Sequence, residues 1–477
     1  MNSKKIIINF LWKFCERGLA QMLTLVISLI LARMIAPDAY GVVALSTVFI
    51  SVCQVFIDSG LGVALVQKKE ADDLDFSSVF FCNVALCACL YAILFFAAPL
   101  IGRIYDNDVL PAVLRVTGLT LVVSGIRSIQ HAYVERTLQF KKFFLCTLVA
   151  TGISGTVGLV MAYNGFGVWS LVTMSLTNTI VGTTVLWCTV KWRPKLQFSF
   201  ERLKPLVNYG SKVLGSALVT SIYGNSRQML VGKFYTTSDL AFYNKGNSLP
   251  NNVVPTIQAS ITSVLLPVIA KCQDDLHQVR MLTGKAVAAM CAILWPAMVG
   301  LAACADTFVE LILSDVWMPA VPYLRLFCIE AALWPISSIY VNSIRAIGRS
   351  DIDLKFQTSL RIVGISLLFI MVRYSPFAVA LCALTCSVLE LIALTLLNVK
   401  VLEFRVVDQL KNILPFAGMA LVMGGVVLLV GELPMNLMLS LIVQVVTGVI
   451  VYLVLVLLLK KDMISDLRML LGKKEIQ

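Results

Sequence analysis

The sequence predicts an all-α polytopic membrane protein of about 14 transmembrane helices, built as two pseudo-repeated six-helix lobes plus a C-terminal helix pair. Three observations predict it. The 477 residues are 58% hydrophobic and 14% charged, with a mean hydropathy of +0.87, whereas soluble domains run at about a quarter charged. The apolar residues fall in blocks about twenty long, which span a hydrocarbon core of roughly 30 Å and must pair their backbone internally as helices. Lys and Arg, finally, segregate to alternate connections between those blocks.

The spans fall at about 10–35, 41–61, 77–101, 110–131, 144–163, 167–190, 206–232, 247–269, 286–305, 321–343, 356–372, 376–398, 412–430 and 437–459. The first carries Glu16 and Arg17 where a signal peptide would be apolar, so it reads as an uncleaved helix. Lys13, Arg17, Gln21, Thr24 and Ser28 recur on it at helical spacing, a polar stripe with Glu16 beside it. The second span ends near Asp58. In the fourth, Ser124, Arg127, Ser128, His131 and Glu135 form another stripe, and the sixth is rich in hydroxyls and amides from Thr173 to Thr184. A basic, proline-bounded link follows at 191–205. The seventh span bears Asn208, Lys212, Ser216, Thr220, Tyr223 and Arg227 on one face, and Glu330, Arg361 and Glu390 lie in later spans. Pro255, Pro267, Pro296 and Pro335 mark kinks in packed or cavity-lining helices. The domains are thus 1–190 (helices 1–6), the cytoplasmic linker 191–205, 206–400 (helices 7–12), and 401–477 with helices 13–14 and a tail. Arg33 and Asp38 in one lobe, and Lys233 and Asp239 in the other, stand at similar places and suggest a repeat.

With both termini cytoplasmic, only Arg33, Arg103, Lys233, Lys245, Arg325 and Arg373 of the 39 Lys and Arg fall outside. Arg115, Arg127, Lys212, Arg227 and Arg361 lie within spans, and the rest are inside, as the positive-inside rule requires of an even helix number. The net charge of +12 is therefore a topology signal, and no nucleic-acid partner is implied. Most of the thirteen cysteines sit in apolar blocks, where they pack as small hydrophobes; with two histidines and no CxxC pair, neither a metal nor a cofactor is expected. The Asp-x-Asp triplets at Asp73/Asp75, Asp106/Asp108 and Asp351/Asp353 read as solvated turns. No Walker loop or other catalytic motif occurs, so the chain is not expected to be an enzyme.

Charges inside spans carry the functional reading, since an ionisable group facing mid-bilayer lipid costs about 3 kcal/mol. Arg17, Arg127, Lys212, Arg227 and Arg361 are the expected substrate-binding residues, because forked guanidinium donors and ammonium groups suit an anionic cargo. Glu16, Asp58 and Glu330 are the expected ion-coupling acids. For Arg127, Lys212, Asp58 and Arg361, each near a cytoplasmic span end, snorkelling to the headgroups is the competing reading. His131 reads as an interfacial polar group.

The stretches RGLAQMLTLVISLILARMIAPDAYGVVAL (17–45), FIDSGLGVALVQKK (56–69), NSRQMLVGKFYTTSDLAFYNKGNSLP (225–250), WMPAVPYLRLFC (317–328) and IRAIGRSDIDLKF (344–356) resemble the polysaccharide flippases of the multidrug/oligosaccharidyl-lipid/polysaccharide exporter superfamily. The resemblance covers nearly the whole chain. It implies two six-helix bundles, a central cavity, alternating access, and translocation of polyprenyl-pyrophosphate-linked oligosaccharide across the bacterial inner membrane. Membrane lipids and other polysaccharide assembly proteins are the further partners it implies. Arg227 departs from it, because related sequences often place an acid there, and the last two spans lie outside the twelve-helix core. Two other functions compete: a drug or cation exporter of the same fold, which would favour an acid-dominated cavity, and a membrane polymerase or ligase, which would carry a large external loop.

Overall fold

The computed structural model describes residues 22–58, 61–68, 72–137 and 139–459. Its helices, in chain order, are α1 (Met22–Met34), α2 (Pro37–Asp58), α3 (Leu61–Gln67), α4 (Asp73–Ile104), α5 (Leu110–Arg136), α6 (Phe140–Tyr163), α7 (Val168–Thr189) and α8 (Phe200–Phe234). They continue with α9 (Thr237–Lys271), α10 (Leu276–Ala303), α11 (Ala305–Ile312), α12 (Val321–Ala346), α13 (Ser350–Met371), α14 (Pro376–Val401), α15 (Val406–Gly431) and α16 (Leu437–Leu459). A short 3₁₀ turn, Asp315–Ala320, leads into α12.

Each expected span coincides with a described helix. Eleven helices among the described residues are long and apolar enough to cross a membrane. The other three expected spans are α1, described from Met22 on, and α8 and α9. These last two have 35 residues each, or about 52 Å of helix, but carry more polar residues than an apolar crossing does. The chain is thus a polytopic helical membrane protein whose count of fourteen rests on those three.

Several helices begin earlier than hydropathy suggests, and side-chain caps explain where. Asp72 caps α4 in a reciprocal box with Asp75, Asp275 accepts from the His277 and Gln278 N–H groups at the head of α10, and Thr236 and Asp239 exchange bonds ahead of α9. Ser375 caps α14, and Pro376 fills its first position, where a missing N–H costs nothing.

Contacts divide the chain into two compact units, 1–241 and 242–477. In the first, α4 packs on α5, α6 on α7, and α5 also on α2 and α7. Small residues let the backbones close in: a Cβ at Gly125 would lie 2.6 Å from the Cys87 sulfur. The α8 helix, expected to open the second lobe, packs in this unit against α2, α3 and α4. In the second unit α10 is central, packed on α12 and α15, with α14 on α12 and α16 on α15. The last helix pair is thus joined to this unit chiefly through α10.

Two of the Asp-x-Asp pairs are more than solvated turns. Asp75 is fully buried, bonded by Lys68 Nζ at 2.6 Å with Arg202 3.9 Å away, because the linker folds over the head of α4. Asp353 is largely buried and paired with Arg345 at 2.7 Å. Asp106 and Asp108 are exposed as expected, Asp106 at a positive φ of 50°.

Candidate functional site

The first unit encloses a cavity of about 800 Å³ lined by α2, α3 and α5. The last turns of α2 give it Gln54, Ile57 and Asp58, α3 gives Gly62 and Val66, and α5 gives Ser124, Arg127, Ser128, His131, Ala132 and Glu135. All five residues of the stripe expected on the fourth span therefore line one space. Helical geometry explains this: positions 124, 127, 128, 131 and 135 share a face, while Leu121 and Ile129 turn into the core with no exposed surface. Gln130, on the buried side, donates to the Trp192 carbonyl at 3.0 Å and fixes the rotation of α5.

Side-chain bonds hold the lining in place. Gln54 Nε2 donates to Asp58 Oδ1 at 3.1 Å, one turn apart on α2. Asn83, buried on α4, donates to Ser128 Oγ at 2.5 Å, and Ser128 in turn donates to the Gly125 carbonyl at 3.0 Å. His131 stacks on Phe143 at 4.2 Å with Nδ1 3.8 Å from Glu135 Oε1. Gly182 of α7 lies beside Arg127, where an added Cβ would be in ordinary contact 3.6 Å from its Nη1. The space thus presents one guanidinium, one imidazole, two carboxylates and several neutral donors. Its two acids outnumber its one guanidinium, the reverse of the cation excess expected from the sequence. A cavity of this size is near the upper end of those that take small ligands; Arg127 is the group in it that can pair an anion, and Gln54, Ser124 and Ser128 can bond hydroxyls.

Asp58 and Arg127 are thereby brought together, and His131 joins them as a lining residue. In the second unit Ser387 of α14 donates to Glu330 of α12 at 3.2 Å, and Gln357 of α13 donates to Glu390 of α14 at 3.5 Å. Arg361 is half-buried on α13, one turn beyond Gln357 on the same face. Lys212 and Arg227 lie on α8, with Arg227 half-buried. Glu16 and Arg17 lie outside the described residues. Sequence reasoning did not single out Gln54 and Asn83; Gln54 was signalled by standing four residues before Asp58, and Asn83 by being an amide in an apolar block. A second cavity, of about 540 Å³, opens at the heads of α10 and α15, lined by His277, Arg280, Lys285, Arg405, Glu403 and Asp408 among others.

The chain is 25% identical over 347 residues to the lipopolysaccharide biosynthesis protein WzxC of Escherichia coli K12, covering 71% of this chain and 68% of that one. It is 23% identical to the succinoglycan biosynthesis transport protein ExoT of Rhizobium meliloti (74% and 71% covered), and 22% identical to the teichuronic acid biosynthesis protein TuaB of Bacillus subtilis (84% and 85%). Among solved structures its fold is similar to that of the lipid II flippase MurJ in an inward closed conformation, with a TM-score of 0.74 over 96% of this chain and 100% of that one at 17% identity. It is also similar to an inward-facing multidrug resistance MATE transporter of the MOP superfamily, with a TM-score of 0.65 over 80% and 95% at 15% identity. Residues 30–322, more than half of the chain, match the family described as polysaccharide biosynthesis protein, and the chain belongs to that family.

Proposed function

We propose that this protein is a flippase that carries polyprenyl-pyrophosphate-linked oligosaccharide across the bacterial inner membrane for surface polysaccharide assembly, by alternating access and without catalysis. Family membership supports the polysaccharide setting. The observation that carries the proposal is Arg127 in a cavity among apolar helices, where Gln54, Ser124 and Ser128 line the same space with Asp58, His131, Glu135 and the apolar Ile57, Val66 and Ala132. A diphosphate cannot cross hydrocarbon unpaired, and a guanidinium meets it with forked, charge-assisted bonds. Gln54, Ser124 and Ser128 suit the sugar hydroxyls beside it. Arg17, Lys212, Arg227 and Arg361 complete the binding set at other depths, so that modest contacts replace one another as the cargo moves outward. Both termini are cytoplasmic in this reading, which the positive-inside distribution supports.

Purified protein in nanodiscs is expected to bind a short-chain polyprenyl-pyrophosphate oligosaccharide, with affinity falling roughly tenfold in Arg127→Gln. Equal affinity for the cargo and for its neutral, dephosphorylated polyprenol glycoside would contradict the site.

Coupling to an ion gradient is assigned to Glu16, Asp58 and Glu330, acids whose solvation changes between inward and outward states. Glu330→Gln and Asp58→Asn are expected to remove most of the gradient dependence of transport while leaving cargo binding within about twofold of wild type. Unchanged pH and gradient dependence in the combined Glu16→Gln, Asp58→Asn, Glu330→Gln protein would remove the assignment.

A further inference from the structure

The connection between α7 and α8 is no loose tether. Residues 190–199 cross the first unit without helix, bent at Leu196 and pinned by bonds to α4. Trp192 is buried against Phe76, 5.6 Å between ring centres, and stacks on Tyr133 at 6.4 Å. The Lys195 N–H donates to Ser77 Oγ and the Ser199 N–H to Ser78 Oγ, both at 3.0 Å, and Lys195 Nζ reaches Asp73 Oδ2 at 2.7 Å. Past the start of α8, Leu203 and Leu206 return to the core.

Within this pinned segment three large apolar side chains point away. Leu196 is 95% exposed, Phe198 55% and Phe200 70%. Leu196 stands at a bend, where the Gln197 N–H donates to the Lys195 carbonyl at 2.7 Å, Phe198 follows two residues on and Phe200 opens α8, while the bonds at 195 and 199 tie the intervening backbone to α4. Three such side chains left in water would lose the burial free energy that aromatic and leucine side chains supply. Around them Lys191, Arg193, Arg202 and Lys204 are exposed, with Glu201 the acid of the same stretch. Arg202 faces Asp72 and Asp75, Lys195 is paired with Asp73, and Arg193 donates to the Val190 and Trp192 carbonyls and lies over the Trp187 ring, while Lys191 and Lys204 are paired with no carboxylate among the described residues. The segment starts where a 22-residue membrane helix ends, at the level of the lipid headgroups.

We propose that the 191–205 linker is an interfacial anchor, whose Leu196, Phe198 and Phe200 enter the boundary between headgroups and acyl chains while Lys191 and Lys204 engage anionic headgroups. Exposed apolar side chains interleaved with basic ones over so short a stretch are the composition that binds such a surface, with burial of about 5–10 Å into the boundary. The anchor fixes the height of the first unit and of the head of α8 in the bilayer. It depends on the chain spanning a membrane and not on which cargo it carries.

The test uses the full-length protein in a cysteine-free background, spin-labelled at position 196, 197 or 198. It is placed in nanodiscs either of phosphatidylethanolamine with phosphatidylglycerol or of phosphatidylcholine alone. Collisional access to oxygen and to a polar nickel complex gives the depth of each label. Labels at 196 and 198 are expected below the phosphates in the anionic discs, a label at 197 at a shallower level, and Lys191→Gln with Lys204→Gln is expected to move position 198 toward water. Water-like access at both 196 and 198 would overturn the anchor, as would shielding from both reagents, which reports a covering protein segment. Equal depth with and without anionic lipid, unchanged in the double lysine variant, would overturn the headgroup assignment.

Discussion

Replacing Arg127 with glutamine is expected to slow transport of lipid-linked oligosaccharide roughly 10- to 100-fold while membrane insertion and yield stay near wild type. The size follows from losing one or two charge-assisted bonds to phosphate, each worth about 1.5–3 kcal/mol, against about 1.4 kcal/mol per tenfold change. Insertion is unaffected because Arg127 is half-buried in a wet cavity and its neighbours on the packed side, Leu121, Ile129 and Gln130, hold α5 without it. Arg127→Lys is expected to restore only part of the rate, since an ammonium supplies a charge but not a fork. The five-fold variant, with Gln also at Arg17, Lys212, Arg227 and Arg361, should abolish transport. Normal transport in that protein would mean that these charges are snorkelling anchors. The measurement is appearance of a fluorescent cargo on the far leaflet of proteoliposomes, normalised to protein in the membrane.

Joining the start of α2 to the start of α9 with a disulfide, through Asp38→Cys with Thr237→Cys, is expected to stop transport altogether until a reductant is added. These helix starts approach so closely that a Cβ on Gly41 would lie 1.8 Å from the Thr237 carbonyl oxygen, and Thr237 Oγ1 donates to Asp38 Oδ1. The Lys233 ammonium, at the end of α8, also reaches the Ile104 carbonyl at the end of α4. All of these lie at the end where the sequence places few Lys and Arg, the outer end on the positive-inside expectation. A contact that takes part in the seal of alternating access must form and break in each cycle, so a covalent bond at this one, within the first unit, is expected to arrest the cycle in one state. Each single cysteine is expected to transport at near the wild-type rate, and reduction to restore the pair. Full activity of the oxidised pair would show that this contact stays shut throughout transport.

Much of the fold was legible because a bilayer writes it in blocks of apolar residues. The helix ends were not, since α4, α9 and α10 begin in polar segments fixed by caps at Asp72, Thr236 and Asp275, where hydropathy carries no signal. The packing of α8 with the first unit is likewise a tertiary matter that no local pattern encodes. At the site, the α5 stripe could be read because polar residues on an otherwise apolar helix repeat at 3.6 residues. That Asp58 shares its cavity could not be read from spacing, as it depends on where α2 ends beside α5. Asp75 was misread for the same reason: Lys68 and Arg202, which neutralise it, come from outside its own helix.

The central claim is translocation of a pyrophosphate-linked glycan by this chain alone. Proteoliposomes holding only the purified protein and a labelled polyprenyl-pyrophosphate oligosaccharide, with an ion gradient imposed, test it most directly when the outer leaflet is probed with a membrane-impermeant glycosidase. The expected result is time-dependent access of the glycosidase to cargo loaded inside, of unchanged glycan length, and strongly reduced in Arg127→Gln. Cargo that stays protected, or that lengthens without crossing, would contradict it.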